Sequence, residues 1–213
     1  MSQLLMLAIS YLVGCISGSY ILGKLFYKKD IRNYGSGNAG TTNAMRVFGK
    51  KFGIITFLID FIKGAVLILI LKFIFKLDNT KLLLASLFCI LGHDFPFNMN
   101  FKGGKGVATT LGTFAIFNFL PTLISVVFWI VFTLIFNTAS ISSIAFFILL
   151  FLINLYFKTF SDIQVILLII VVSIGIFRHN SNIYRLITGK ENKIGARKRW
   201  KLQFMVEVAG EQL

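Results

Sequence analysis

Residues 53–75 read GIITFLIDFIKGAVLILILKFIF. A helix of this length rises about 34 Å, enough to cross a hydrocarbon core of about 30 Å. Its apolar residues form a continuous run instead of alternating, which disfavours a β-barrel strand. Similar runs lie near 4–23, 82–97, 107–119, 121–136, 141–157 and 161–177. The pattern predicts an all-α integral membrane protein with seven transmembrane helices. The fourth and fifth runs are short and part only near Pro121, so one long kinked helix is the alternative.

Composition supports the same class. The 213 residues are 56% hydrophobic, with a mean hydropathy of +0.82 and 24 phenylalanines. Only 14% are charged, against about 25% in an ordinary soluble domain. A disordered chain and a typical soluble enzyme are excluded. Cys15 and Cys89 lie far apart in apolar runs, so neither a disulfide framework nor a zinc site is expected. The start, Met1-Ser2-Gln3, has no basic stretch before its apolar run, so the first span is expected to remain. No repeat or linker divides residues 1–213, which read as one domain with a basic cytoplasmic tail from about residue 193.

The net charge is +14. In a membrane protein this fits positive-inside loops and an anionic substrate better than a nucleic acid. With the N-terminus outside, the inner segments carry Lys24, Lys28, Lys29, Arg32, Arg46, Lys50, Lys51, Lys102, Lys105, Arg178, Arg185, Lys190, Lys193, Arg197, Lys198, Arg199 and Lys201. The outer ones carry Lys72, Lys76, Lys81 and Lys158, and Lys63 stays within a span. This asymmetry predicts an outer N-terminus and a cytoplasmic C-terminus. Merging the fourth and fifth runs would place the tail opposite the first basic loop, which favours seven spans.

Three polar clusters then share the cytoplasmic side. The first is Gly35-Ser36-Gly37-Asn38-Ala39-Gly40-Thr41-Thr42-Asn43, followed by Arg46. Its glycines allow positive φ, its side chains supply neutral donors, and Arg46 offers a fork for phosphate. The G-x-G-x-x-G within it lacks the preceding strand of a dinucleotide site. The second runs from Gly92-His93-Asp94-Phe95-Pro96 to Phe101-Lys102-Gly103-Gly104-Lys105-Gly106. Two lysines around a glycine pair suggest phosphate held by ammonium groups and backbone amides. Lys105 is followed by Gly106 instead of Ser or Thr, so a Walker A loop is not supported. The third is Arg178-His179-Asn180-Ser181-Asn182, continuing to Arg185, Gly189 and Glu191; His179 and Asn182 would share a helix face. Each cluster also has a plainer reading, as a surface turn, a glycine hinge or a snorkelling helix end.

Within the spans, Asp60 and Lys63 are spaced to pair, and such residues usually face a bundle interior. Ser140 and Ser143 share a face at the start of the sixth span, and Gly14 with Gly18 suggests close helix packing.

Taken together, the clusters resemble the bacterial acyl-phosphate:glycerol-3-phosphate acyltransferase family over nearly the whole chain. The first motif is matched by Gly35 to Asn38, Gly40, Thr42, Asn43 and Arg46, and the following span by Asp60, Lys63 and Gly64. The second is matched by Gly92, His93, Pro96 and 101–109, and the third by Arg178, His179, Asn182, Ile183, Arg185, Leu186, Gly189 and Glu191. Ala39 and Asn180 depart from the pattern, and so does the lack of Arg-Tyr before Ser140. The resemblance implies transfer of a long-chain acyl group from acyl phosphate to the sn-1 hydroxyl of glycerol 3-phosphate, at the cytoplasmic side of a bacterial inner membrane. It implies membrane lipids as surroundings, and no cofactor, metal or nucleic acid. Ser36, Arg46, Lys105 and His179 are the expected catalytic residues. Gly37, Asn38, Gly40, Thr42, Asn43, Lys102, Gly103, Gly104, Ser143 and Asn182 are the expected phosphate contacts, supported by Asp60, Lys63, His93, Ser140 and Arg185. A transporter or channel for a phosphorylated solute is the alternative, although such proteins commonly show repeats. None is visible here.

Overall fold

The computed structural model describes residues 2–194 and Phe204. Met1 and most of the basic tail, including Arg197, Lys198, Arg199 and Lys201, lie outside the described residues. No strand occurs among the described residues. The helices are α1 (Gln3–Gly14), α2 (Gly18–Tyr27), α3 (Thr41–Val47), α4 (Lys50–Leu69), α5 (Asn79–Asp94), α6 (Val107–Phe117), α7 (Phe119–Phe136), α8 (Ala139–Tyr156), α9 (Asp162–Phe177) and α10 (Asn180–Ile187). A π-turn at Ile70–Ile74 lengthens α4.

Among these, α4 with its π-turn, α5 with the turn after it, α7 and α8 are each long and apolar enough to cross a bilayer. Two bent pairs, α1 with α2 at 44° and α9 with α10 at 54°, bring the number to six if each is one span. Two helices remain: α3 has seven residues, and α6 has eleven and rises about 16 Å, roughly half the hydrocarbon thickness.

Two expectations are corrected here. The first span is not continuous over 4–23 but breaks between Gly14 and Gly18. The break between the fourth and fifth runs falls at Asn118, and Pro121 sits in the first turn of α7, where a missing N–H costs nothing.

Small residues set the closest helix contacts. In a bilayer, burial of apolar surface gives helices little reason to associate, so packing and close backbone approach matter more. A Cβ on Gly14 would lie 2.1 Å from the Cys89 carbonyl oxygen, and one on Gly92 would lie 2.1 Å from that of Tyr11. These glycines therefore join α1 to α5. Gly112 does the same for α6 against α4, where a Cβ would meet the Phe61 carbonyl at 2.0 Å. The Gly14–Gly18 spacing does serve close packing, but Gly18 approaches Thr56 on α4, so the two glycines face different helices.

The main core joins α5, α6, α8 and α9 through Leu83, Leu87, Phe114, Phe146, Phe147 and Leu168. A separate aromatic cluster lies at one end. Tyr27, Tyr34, Phe48 and Phe52 pack there with Ile31, Met99 and Phe204. Phe204 is only 3% exposed, and its ring stands edge-on to Tyr27, Tyr34 and Phe48 at 5.0–5.2 Å between centroids. This cluster supports the loops that carry the first two polar motifs.

Candidate functional site

The first motif forms a loop braced by a side chain of α3. Gly35 and Gly37 adopt positive φ of 63° and 73°. The Asn43 carboxamide oxygen accepts from the Ser36 N–H at 2.9 Å. Its nitrogen donates to the carbonyls of Tyr34 and Ile31. Asn43 was expected to bind phosphate; its amide is engaged with the loop, and the residue also lines the cavity. Ser36, Asn38, Gly40, Thr42 and Arg46 remain facing a cavity.

The second motif is tied down in a similar way. The Gly103 and Gly104 N–H groups donate to the Asp94 and His93 carbonyls at 3.1 and 3.0 Å. Arg178 donates through Nε and Nη2 to the Gly104 carbonyl, and through Nη2 to that of Gly103. Side chains at either glycine would collide with α5 and its C-terminal turn: a Cβ on Gly103 would lie 2.1 Å from the His93 carbonyl, and one on Gly104 2.0 Å from His93 Nε2. The glycine pair thus provides close packing and does not cradle phosphate with its amides. What the loop presents is Lys105. Gly37 and Lys102 line an adjoining pocket with Arg178, which shares Ser36, Asn38, Lys105 and Arg185 with the main cavity.

The third motif completes the ring. Lys105 donates to the Asn182 oxygen, and Asn182 donates to Glu191 at 3.1 Å. Arg185 donates to the other Glu191 oxygen at 3.0 Å. His179 caps α10 and is 3% exposed. Its Nδ1 lies 2.7 Å from the Gly175 carbonyl, and because a carbonyl only accepts, the proton sits on Nδ1. Its Nε2 is therefore an acceptor. Burial pushes His179 down to about 4, with the Lys105 charge adding to the effect and the Gly175 carbonyl opposing it. Burial likewise pushes Lys105 down to about 8, with Arg185 adding to it and Glu191 opposing it. His179 is neutral at pH 7 while Lys105 stays mostly charged.

The intramembrane pair does something that spacing alone does not reveal. Lys63 Nζ donates to the Gly14 carbonyl at 2.8 Å, to the Ile16 carbonyl and to His93 Nδ1 at 2.9 Å. Asp60 Oδ1 lies 3.4 Å from Lys63 Nζ and accepts from the Gly18 N–H at 3.2 Å. A cation meets the carbonyls at the end of α1, and an anion meets the first amide of α2. Each charge opposes the partial charge at its helix terminus. The pair closes the break in the first span.

The two serines of α8 differ in their hydrogen bonding. Ser143 donates its hydroxyl to the Ala139 carbonyl at 2.7 Å. The Ser140 hydroxyl is buried without a partner. Both residues line the cavity.

The main cavity therefore gathers Ser36, Asn38, Gly40, Thr42, Asn43, Arg46, Asp60, His93, Lys105, Ser140, Ser143, His179, Asn182 and Arg185 from the three motifs and two spans. Lys63 stands behind His93, and Gly103 and Gly104 are structural. Sequence reasoning missed Arg178, which resembled a snorkelling helix end, and the bridging role of Glu191. The signal for Glu191 was an acid placed between Lys190 and Lys193. It also missed Phe57 and Trp129, which line the cavity as well and are indistinguishable from lipid-facing residues by composition.

The family model for glycerol-3-phosphate acyltransferase matches residues 4–189. The glycerol-3-phosphate acyltransferase of Finegoldia magna is 43% identical over 188 residues, covering 88% of this chain and 93% of its own. Glycerol-3-phosphate acyltransferase 2 of Bacillus anthracis is 43% identical over 192 residues, covering 90% and 99%. Among solved structures, PlsY (YgiH), an integral membrane glycerol 3-phosphate acyltransferase, in its glycerol 3-phosphate form superposes with a TM-score of 0.85. It is 36% identical, over 92% of this chain and 96% of that one. Its lysophosphatidic acid form gives 0.82 at 34% identity, over 97% and 100%.

Proposed function

The chain belongs to the glycerol-3-phosphate acyltransferase family, and from that premise we propose that it moves a fatty acyl group from acyl phosphate to the sn-1 hydroxyl of glycerol 3-phosphate. The products are lysophosphatidic acid and inorganic phosphate. One observation carries the reading: a single cavity is lined by Arg46, Lys105 and Arg185 with neutral donors and His179, and also by the large apolar side chains of Phe57 and Trp129. A dianionic acceptor suits the cations and donors, and an acyl chain suits the apolar rings.

An acyl phosphate is a mixed anhydride with a good leaving group, so the reaction needs no covalent enzyme intermediate. The protein holds two anions close together and stabilises the charge that moves onto the departing phosphate. Arg46 and Lys105 supply that charge; Ser36, Asn38 and Thr42 supply oriented donors. His179 orients the acceptor through Nε2. With so low a proton affinity it is a poor obligatory base, and a phosphate oxygen of the substrate receives the proton.

Seven crossings in one domain, with the N-terminus outside and the site facing the cytoplasm of a bacterial inner membrane, complete the proposal. The charge distribution supports this orientation. Purified protein mixed with acyl phosphate and glycerol 3-phosphate should release phosphate and lysophosphatidic acid in equal amounts. A folded protein that releases neither, yet passes glycerol 3-phosphate across a vesicle wall, would replace the enzyme by a transporter.

A further inference from the structure

The chain has two histidines, both lining the cavity, and their hydrogen bonds fix opposite tautomers. The ammonium of Lys63 has three protons and three acceptors: the Gly14 carbonyl, the Ile16 carbonyl and His93 Nδ1. Asp60 Oδ1 lies 3.4 Å from the same nitrogen. An ammonium only donates, so His93 Nδ1 carries no proton. Asp60 itself lies 3.7 Å from Nδ1, too far for a hydrogen bond. The neutral ring must then carry its proton on Nε2. His93 is 4% exposed, and no acceptor for that proton is found among the described residues. His179 is the reverse, with Nδ1–H held by Gly175 and an open lone pair on Nε2.

We propose that His93 is a catalytic hydrogen-bond donor whose Nε2–H holds the carbonyl oxygen of the acyl donor, opposite His179, whose Nε2 accepts from the attacking hydroxyl. The inference rests on the acyltransferase reading. Position within the cavity identifies the ligand atom. Lys63, which fixes His93, is thirteen residues into α4, whereas Arg46 precedes that helix. An acyl chain anchored in lipid brings its carbonyl past Phe57 and Trp129, towards His93. The step balances without any change in the protonation of His93. The hydroxyl oxygen adds to the carbonyl carbon and its proton passes to a phosphate oxygen. The carbonyl electron pair moves onto the oxygen facing Nε2–H. The carbon–oxygen bond to phosphate then breaks, with its pair leaving on the phosphate, and the carbonyl re-forms. Lys63 and Asp60 are positioning residues, because they act through the ring.

The test uses the full chain with ¹⁵N-labelled histidine in a lipid nanodisc at pH 7. One imidazole should be protonated on Nε2 and the other on Nδ1, and His93→Gln should remove the first. Two rings in the same tautomer, or a doubly protonated His93, would overturn the assignment. In kinetics, His93→Gln keeps an N–H at the same reach and should hold kcat within about tenfold. His93→Phe should lose about 10²–10³-fold with the acceptor KM little changed. Equal impairment of the two variants would refute the donor role. Failure of the wild-type protein to release phosphate would refute the acyltransferase reading instead, and leaves the tautomer measurement standing.

Discussion

Lys105 is the residue on which phosphate binding and pH dependence meet. Its ammonium sits among Arg46, Arg178 and Arg185, and burial holds it down to about 8. Because this shift lies below the ordinary lysine value, the charge is present at pH 7 and lost as pH rises through about 8. The expected kcat/KM for glycerol 3-phosphate therefore declines on an alkaline limb near that pH, and Lys105→Arg, which stays charged, should move the limb upward. Lys105→Ala should cost roughly 10- to 150-fold, the value of a charge-assisted contact, whereas Lys158→Ala, on an exposed turn, should cost nothing measurable. Steady-state kinetics across pH 6–9 checks all three. The sequence announced Lys105, Arg46 and His179 because charges and donors beside glycines have few other uses. It could not separate Asn43, Gly103 and Gly104 from the binding groups, since bracing a loop and binding phosphate call for the same residue types.

The same limit operates on elements. Hydropathy marked the long helices because a bilayer demands apolar length, but it passed over the break after Gly14. Cys15-Ile16-Ser17 is no more polar than its surroundings, and the groups that stabilise the break, Asp60 and Lys63, are more than forty residues away. Glycines carry the contacts between elements. Gly92→Ala would place a methyl 2.1 Å from the Tyr11 carbonyl, backbone that cannot swing aside. The overpacking should destabilise the protein by about 1–3 kcal/mol, seen as a fall of several degrees in Tm in detergent. Val127→Ala, on an outward position of α7, should leave Tm unchanged.

For the whole molecule, the positive charge is the readable feature and the number of crossings is not. Charges in loops predict an orientation through the positive-inside rule, while an eleven-residue α6 falls below any length criterion. Labelling tests the arrangement. In a background lacking Cys15 and Cys89, Lys190→Cys should react only with a reagent admitted to the cytoplasmic side, and Lys158→Cys only from outside. Labelling of residue 190 from outside would reverse the orientation.

The tail contact at Phe204 bears on how the protein can be handled. A chain cut after Gly189 keeps every residue that the family description covers. It would nevertheless lose the Glu191 carboxylate that joins Asn182 to Arg185, and it would unroof the aromatic cluster beneath the first two loops. The hereditary boundary of the enzyme and its mechanical boundary therefore do not coincide. A purification handle belongs at the N-terminus, and a minimal version of this enzyme should be drawn to Phe204 and beyond.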